Sequence, residues 1–188
     1  RRSMPCIIFI NQLDRDNTDF YKVLSDIQAR LDKRCLAISV PVGAAAGFEG
    51  VVDLLAMVAH TGQPPRSGDV PEGLRARAQE LRLKLVEAIA EQDDDLLAKY
   101  LEGEELPTDA LMKGLRATVG SGNICPVLGG AALSNRAIQP LLDAIVDLMP
   151  SPSEVTLPVP HRSDGAASPP LKAAPQGPLA AQVFKTTA

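Results

Sequence analysis

Two short apolar runs constrain the fold of this chain more than any other feature. They occupy residues 5–10 and 124–128, and each is followed by a loop and then by an amphipathic pattern. Apolar runs of this length, without polar alternation, are typical of strands buried on both faces of a parallel sheet. The pattern therefore predicts an α/β fold in which these two runs are strands of one sheet.

Helical patterns follow both runs. After the first run, apolar residues recur at the spacing of one helix face: Phe20, Val23, Leu24, Ile27 and Leu31. Asp16 and Asn17 are candidate caps for this helix. A strand candidate at residues 35–40 then ends at Pro41, so strand, helix and strand predict a right-handed parallel crossover. The second run leads into a predicted helix over residues 138–149.

The segment between these two α/β regions has a different character. Residues 51–59 fit either a strand or a short helix, and the proline-rich and glycine-rich residues 61–71 predict a loop. Helical patterns follow at residues 74–89, 96–102 and 107–119. The sequence therefore predicts a mainly helical insertion into an α/β domain.

Composition excludes several classes of protein. A net charge of -4 without a cluster of Lys and Arg argues against an independent nucleic-acid binder. No apolar run is long enough to predict a membrane span. Cys6, Cys35 and Cys125 are far apart in the sequence and lie in apolar stretches, which predicts small core residues and neither a disulfide framework nor a metal site.

The loops after the two runs are the candidate ligand site, because ligands of open parallel sheets bind at the carboxyl ends of strands. Asn11 and Asp14 follow the first run, and a carboxylate can accept the parallel N1–H and N2–H donors of guanine. The small residues 129–132 follow the second run and allow backbone N–H groups to approach a carbonyl such as guanine O6. In isolation, Asn11 and Asp14 are more typical of a turn or a helix cap.

Several segments together resemble the elongation factor G family of translational GTPases. FINQLDRDNTDFYKVLSDIQARL resembles the family segment that holds the N-K-x-D guanine-specificity motif. GVVDLLAM, AEQDDDLLAKYLEGEEL, PVLGGAAL and QPLLDAIVDLMPSP resemble later family segments in the same order, up to about residue 155, and the closing GPLAAQVFKTTA resembles the first strand of the family's barrel-shaped second domain.

The resemblance implies a partial P-loop GTPase-type, three-layer α/β sheet with a mainly helical inserted subdomain. The implied boundaries give the G domain residues 1–42 and 123–157, the insertion residues 43–122, a linker residues 158–177, and the first strand of the second domain residues 178–188. The chain is accordingly expected to be a fragment that holds the guanine-reading half of the GTPase domain.

The resemblance also assigns residue roles for binding GTP or GDP. Asn11 is expected to tie its motif to neighbouring loops, Asp14 to accept both guanine N–H groups, and the N–H of Ala132 to contact guanine O6. Leu133 completes the implied nucleotide-binding set. Gln12 replaces the family's lysine and Ala131 its serine, and each replacement is expected to weaken binding by about 1 kcal/mol. These departures indicate a divergent paralogue.

The function implied is that of a translational GTPase acting in ribosomal translocation. The 188 residues contain no G-x-x-x-x-G-K-[ST] loop, so the chain alone is expected not to hydrolyse GTP and to bind it at millimolar strength or weaker. The ligands of Mg²⁺ are expected elsewhere in the parent protein, and no catalytic residue is expected here.

The expected partners are the ribosome and its stalk protein, the latter through residues 43–122. The chain itself is expected to be monomeric, with no membrane association, in the cytoplasm or an organelle matrix. Two alternatives stay open at this point. One is a GTPase of ribosome recycling, rescue or protection, and the other is a ribosome-interacting module that has lost catalysis.

Overall fold

The computed structural model describes residues 4–154 and 176–177. Within these ranges the strands are β1 Ile8–Ile10, β2 Cys35–Ala37, β3 Ser39–Val42, β4 Gly50–Asp53, β5 Val58–Thr61, β6 Arg66–Gly68 and β7 Cys125–Gly129. The α-helices are α1 Phe20–Arg30, α2 Glu72–Ala90, α3 Asp94–Leu101, α4 Thr108–Gly120 and α5 Ile138–Leu148. A short 3-10 helix covers Ala45–Gly47.

The two apolar runs are neighbouring strands of one parallel sheet, as predicted. The sheet has the order β1, β7, β2, and both outer strands run parallel to β7. All five residues of β7 are buried, which explains why its sequence shows no polar alternation. The carboxyl ends of β1 and β7 therefore lie side by side.

The predicted single strand at residues 35–40 is wrong, because the chain changes sheets at Ile38. β2 pairs with β7, and the Ile38 N–H still bonds to the carbonyl of Val127 at 3.0 Å. From Ser39 onward the chain pairs with β4 instead. Pro41 does not end this second strand, since β3 is an edge strand, where the missing N–H of a proline is tolerated.

Residues 39–68 form a four-stranded antiparallel sheet that was not predicted, and its first strand lies before the predicted insertion 43–122. The strand order is β3, β4, β5, β6. Residues 51–59, which fitted strand or helix, form β4 and β5 around a turn in which the Asp53 carboxylate accepts from the N–H groups of Leu55 and Ala56. The predicted loop 61–71 contains β6, whose residues are all exposed and so show no burial pattern.

α2 and α4 bury their predicted faces, whereas the predicted faces of α1 and α5 are partly exposed, at Val23, Leu31, Leu142, Ile145 and Val146. α2, α4 and the antiparallel sheet share a core whose fully buried members include Phe48, Leu54, Leu85, Ile89, Leu111 and Leu115. The cap of α1 is Asp19, whose carboxylate accepts from the N–H groups of Tyr21 and Lys22 at 3.0 Å. Asp16 and Asn17 are not the caps, because the helix begins later and Asn17 lies in a left-handed turn conformation.

The chain divides into two compact units at Met149. All the helices and strands given above lie in the first unit, Arg1–Met149. In the second, residues 151–154 form a turn in which the Ser151 N–H bonds to the carboxylate of Glu154 at 2.7 Å. The expected linker 158–177, except its last two residues, and the expected strand 178–188 lie outside the described residues. The boundaries at residues 42 and 122 remain predictions. Among the described helices, none combines the length and apolarity that a membrane span requires.

Candidate functional site

The loops after β1 and β7 meet at the carboxyl edge of the parallel sheet. The Gly130 N–H donates to the Ile10 carbonyl at 3.0 Å, and the Leu13 N–H donates to the Gly130 carbonyl at 3.2 Å. These two bonds continue the β1–β7 pairing into the loops. The predicted site residues of the two loops therefore lie together, although Asn11 and Ala132 are 121 positions apart in the sequence.

Asn11 joins the two loops through one side-chain oxygen. Its Oδ1 accepts from the N–H of Gln12 at 2.8 Å and from the N–H of Ala132 at 2.9 Å. Gln12 itself has a left-handed backbone, with φ of +65°, and an exposed side chain. The Ala132 N–H, expected to meet guanine O6, is thus engaged by Asn11 in this structure.

Asp14 is held by a residue that the sequence interpretation missed. The Ser134 hydroxyl donates to Asp14 Oδ2 at 2.8 Å and also lies 3.4 Å from the carbonyl oxygen of Ala131. No hydrogen bond to Asp14 Oδ1 occurs within residues 4–154. Asp14 is partly exposed, so the carboxylate is oriented on one oxygen while its other oxygen is available.

Close packing around Gly129 and Gly130 explains why no side chain is present at these two positions. A Cβ on Gly129 would lie 2.7 Å from Leu13 Cδ1, and one on Gly130 would lie 2.7 Å from Phe9 Cζ and 3.0 Å from the Arg136 carbonyl oxygen. The loop is closed by paired bonds between Ala131 and Arg136, both at 3.0 Å. Ala131 is fully buried, so the hydroxyl expected in the family is replaced here by an apolar contact.

The insertion braces both loops. The Ala45 N–H donates to the Leu13 carbonyl at 3.0 Å. From the β7 loop, the Arg136 guanidinium donates to the carbonyl of Phe48, and the Ser134 carbonyl accepts from the side-chain amide of Gln63. Arg136 and Gln63 were not predicted, because each acts through a contact distant in sequence.

A cavity elsewhere in the first unit does not compete as a nucleotide site. It has a volume of about 140 Å³ and lies between the antiparallel sheet, α4 and α5. Ligand pockets usually have about 300–1,000 Å³. Asp53, Asp143 and Asp147 also line it, and three carboxylates disfavour a phosphate. The chemistry of the carboxyl edge, not the presence of a cavity, therefore identifies the candidate site.

The groups at the carboxyl edge fit a guanine base. The same edge holds a carboxylate with one available oxygen, a small-residue loop whose Ala132 N–H bonds to Asn11 Oδ1, and an exposed leucine. Leu133 has 88% of its surface exposed and stands beside Ala132. The donors of guanine at N1 and N2 complement Asp14, whereas adenine offers no such pair of adjacent donors. The geometry therefore favours guanine over adenine.

Comparisons with known proteins identify the family of the chain. A family model described as the elongation factor Tu GTP-binding domain matches residues 1–151. A crystal structure of a protein from Thermus thermophilus is similar, with 32% sequence identity and a TM-score of 0.72. The match covers 81% of this chain and 23% of the Thermus chain. The chain thus belongs to the elongation factor Tu GTP-binding domain family and, among the translational GTPases, is of the elongation factor G type.

Proposed function

We propose that the carboxyl edge of the parallel sheet recognises the guanine base of GTP or GDP, with Asp14 as the residue that selects guanine. The observation that supports this role is the Ser134–Asp14 hydrogen bond, which orients the carboxylate beside the β7 loop. Both Asp14 oxygens can then accept the N1–H and N2–H groups, because Oδ2 has a second lone pair.

The other site residues have supporting roles in this proposal. Guanine O6 takes the Ala132 N–H in place of Asn11 Oδ1, so binding gives up one internal hydrogen bond. Leu133 and the stem of Gln12 lie against the faces of the base. The loss of the Asn11–Ala132 hydrogen bond on binding adds to the losses of affinity expected from Gln12 and Ala131. The chain alone should therefore bind the nucleotide weakly.

Exchange of Asp14 for asparagine tests the proposal. The amide introduced at this position presents an N–H donor to the base, which complements the C2 carbonyl of xanthine and opposes the N2–H of guanine. We expect Asp14→Asn to weaken GDP binding by about 2 kcal/mol, near thirtyfold, and to improve xanthosine diphosphate binding. Amide chemical shifts of Ala132 and Leu133, followed during nucleotide titrations, measure both effects.

Asp16→Asn is the matched control, because Asp16 is exposed in the same loop. It should leave the order of nucleotide affinities unchanged. Equal shifts with adenosine and guanosine diphosphates, or an unchanged preference in Asp14→Asn, would contradict the assignment.

For the whole protein we propose a GTPase whose nucleotide-dependent conformational change acts on the ribosome, in translocation. Support comes from the family match over residues 1–151. The chain spans 23% of the Thermus chain. GTP hydrolysis and action on the ribosome are therefore proposed for the whole protein and not for these 188 residues alone. Residues 43–122 are the proposed contact for the ribosomal stalk protein. Mg²⁺ and the phosphates are held by residues outside these 188.

Phosphate release distinguishes the proposals about catalysis. The chain alone should release no phosphate from GTP, whereas the longer protein should do so with ribosomes. A longer protein that binds ribosomes without releasing phosphate would favour the module that has lost catalysis. Translocation and subunit-splitting assays with the longer protein separate the main proposal from the recycling alternative.

A further inference from the structure

Three cysteines form a row across the amino-terminal edge of the parallel sheet, opposite the candidate guanine site. Cys35 is the register partner of Cys125 in the β2–β7 pair. Cys6 precedes Ile8 by two residues, as Cys125 precedes Val127, the register partner of Ile8. Cys125 therefore has a cysteine on each side. The prediction that all three are small core residues is wrong for Cys6, which is exposed, because sequence separation does not show this proximity.

Cys6 and Cys125 are close enough to react with each other. Their Sγ atoms are 2.9 Å apart, and a disulfide bond is about 2.05 Å long, so a small movement joins them. Cys6 lies before the first residue of β1, outside the paired portion of the strand, and its side chain is exposed. The less constrained and more accessible thiol is thus the one that has to move.

The remaining combinations are less favourable. Cys6 and Cys35 lie on strands that flank β7, about 9–10 Å apart, which exceeds the separation that a disulfide spans. Cys35 and Cys125 are both buried, at 2% and 8% exposure. In the described portion of the chain, no group of three or more Cys, His, Asp or Glu residues has an arrangement suited to a metal ion. The cluster is therefore best suited to a bond between Cys6 and Cys125.

We propose that Cys6 and Cys125 are a reversible thiol–disulfide site that reacts with a low-molecular-weight disulfide such as glutathione disulfide. The Cys6 thiolate attacks one sulfur of the oxidant and releases a first glutathione thiolate. The Cys125 thiolate then attacks the Cys6 sulfur of the mixed disulfide and releases the second. Both cysteine sulfurs are oxidised, the glutathione disulfide is reduced to two thiols, and the two cysteine protons pass to them.

The surroundings of the pair favour attack by Cys6 on the oxidant before attack by Cys125 on Cys6. A surface depression of about 380 Å³ contains all three cysteines together with Arg30 and Arg34. Asp32 lines the same depression and forms an ion pair with Arg34 at 2.7 Å, so Arg30 is the guanidinium that attracts the carboxylates of glutathione. Burial raises the pKa of the Cys35 and Cys125 thiols, and the adjacent Cys6 sulfur raises the pKa of Cys125 further. The exposed Cys6 is accordingly the thiol that meets the oxidant first.

Peptide mapping of the oxidised chain tests the proposal directly. Cleavage after Arg and Lys places the three cysteines in different peptides, residues 3–15, 35–66 and 117–136. The 188-residue chain is incubated with glutathione disulfide, its free thiols are alkylated, and the peptides are identified by mass spectrometry. We expect peptides 3–15 and 117–136 to be linked, Cys35 to be alkylated, and dithiothreitol to reverse the link.

Two variants separate the proposed pair from general oxidation. Cys35→Ser should keep the link between peptides 3–15 and 117–136, whereas Cys6→Ser should lose it. A stable glutathione adduct on Cys6 without a link, a link that includes Cys35, a link between two chains, or three free thiols after oxidation would each overturn the proposal. Because the unmodified chain already gives a decisive map, the test does not depend on the folding of either variant.

Discussion

The loop after β1 and the loop after β7 approach the same ligand edge with different chemistry. The β1 loop contributes side chains, the Asn11 amide and the Asp14 carboxylate. The β7 loop contributes backbone groups and one hydroxyl, that of Ser134. In the proposed function, selectivity for a base therefore depends on a side chain of the β1 loop and on the backbone conformation of the β7 loop. Substitutions in the β1 loop should consequently act by changing a side-chain group, whereas those in the β7 loop should act by changing the backbone conformation.

This difference also clarifies the two departures from the family pattern. Gln12 is exposed, so its replacement of the family's lysine disturbs no packing within the loop. Ala131 is fully buried within the loop, where the Ser134 hydroxyl and the paired Arg136 bonds brace the backbone. The β7 loop thus keeps its shape without the expected serine hydroxyl.

Gly130→Ala should have the largest effect on the β7 loop. The added Cβ would lie 2.7 Å from Phe9 Cζ and 3.0 Å from the Arg136 carbonyl oxygen. We expect the free energy of unfolding to fall by about 1–3 kcal/mol, as for other overpacked sites. Urea denaturation measures it. Gly73→Ala is the control, because nothing lies near a Cβ there and its helix should be unaffected or stabilised. Equal stability of both variants would show that the loop tolerates a side chain.

Ser134→Ala should have an intermediate effect that reaches across to the β1 loop. The change removes the hydrogen bond to Asp14 and should lower the free energy of unfolding by about 1 kcal/mol. It should also weaken GDP binding, because the carboxylate loses its orientation. Nucleotide titration and urea denaturation provide the two readings. Ser25→Ala, at an exposed position of α1, should not weaken GDP binding or lower stability, and a matching loss there would remove the special role of Ser134.

Ala137→Gly should have the smallest effect, and it should raise the free energy of unfolding instead of lowering it. Ala137 precedes α5 with φ of +59°, a left-handed conformation that glycine adopts without strain. The gain in free energy of unfolding should be about 0.5–1 kcal/mol, since the greater freedom of glycine in the unfolded chain offsets some of the relief. Asn135→Gly is the matched comparison, because Asn135 has φ of +52° but asparagine tolerates this region better. A gain at Asn135 larger than that at Ala137, measured by urea denaturation, would contradict the strain argument.

Sequence patterns predicted the parallel sheet and its helices well, because fully buried strands and one-sided helices have distinct apolar periods. The two loops that hold Asn11, Asp14 and Ala132 lie together as expected because they follow the ends of strands β1 and β7, and the roles of these residues remain predictions. The antiparallel sheet was not predicted, since β6 is exposed and Pro41 interrupts the strand pattern of β3.

The missed site contacts share a different cause. Ser134, Gln63 and Arg136 act through partners that are 71 to 120 residues away, and no local pattern marks such a contact. The same holds for the cysteine row, in which Cys6 and Cys125 are 119 positions apart. Residue type predicted which side chains could carry chemistry, whereas only the tertiary structure shows which of them orient the others.

The insertion is attached to the base-recognition edge at three points, through Ala45, Gln63 and the carbonyl of Phe48. These hydrogen bonds connect residues on or beside the antiparallel sheet directly to the two loops. A load applied to that sheet would therefore pull on Leu13, Ser134 and Arg136 at once. In the proposed function, a partner that binds the insertion would change base affinity through these three hydrogen bonds.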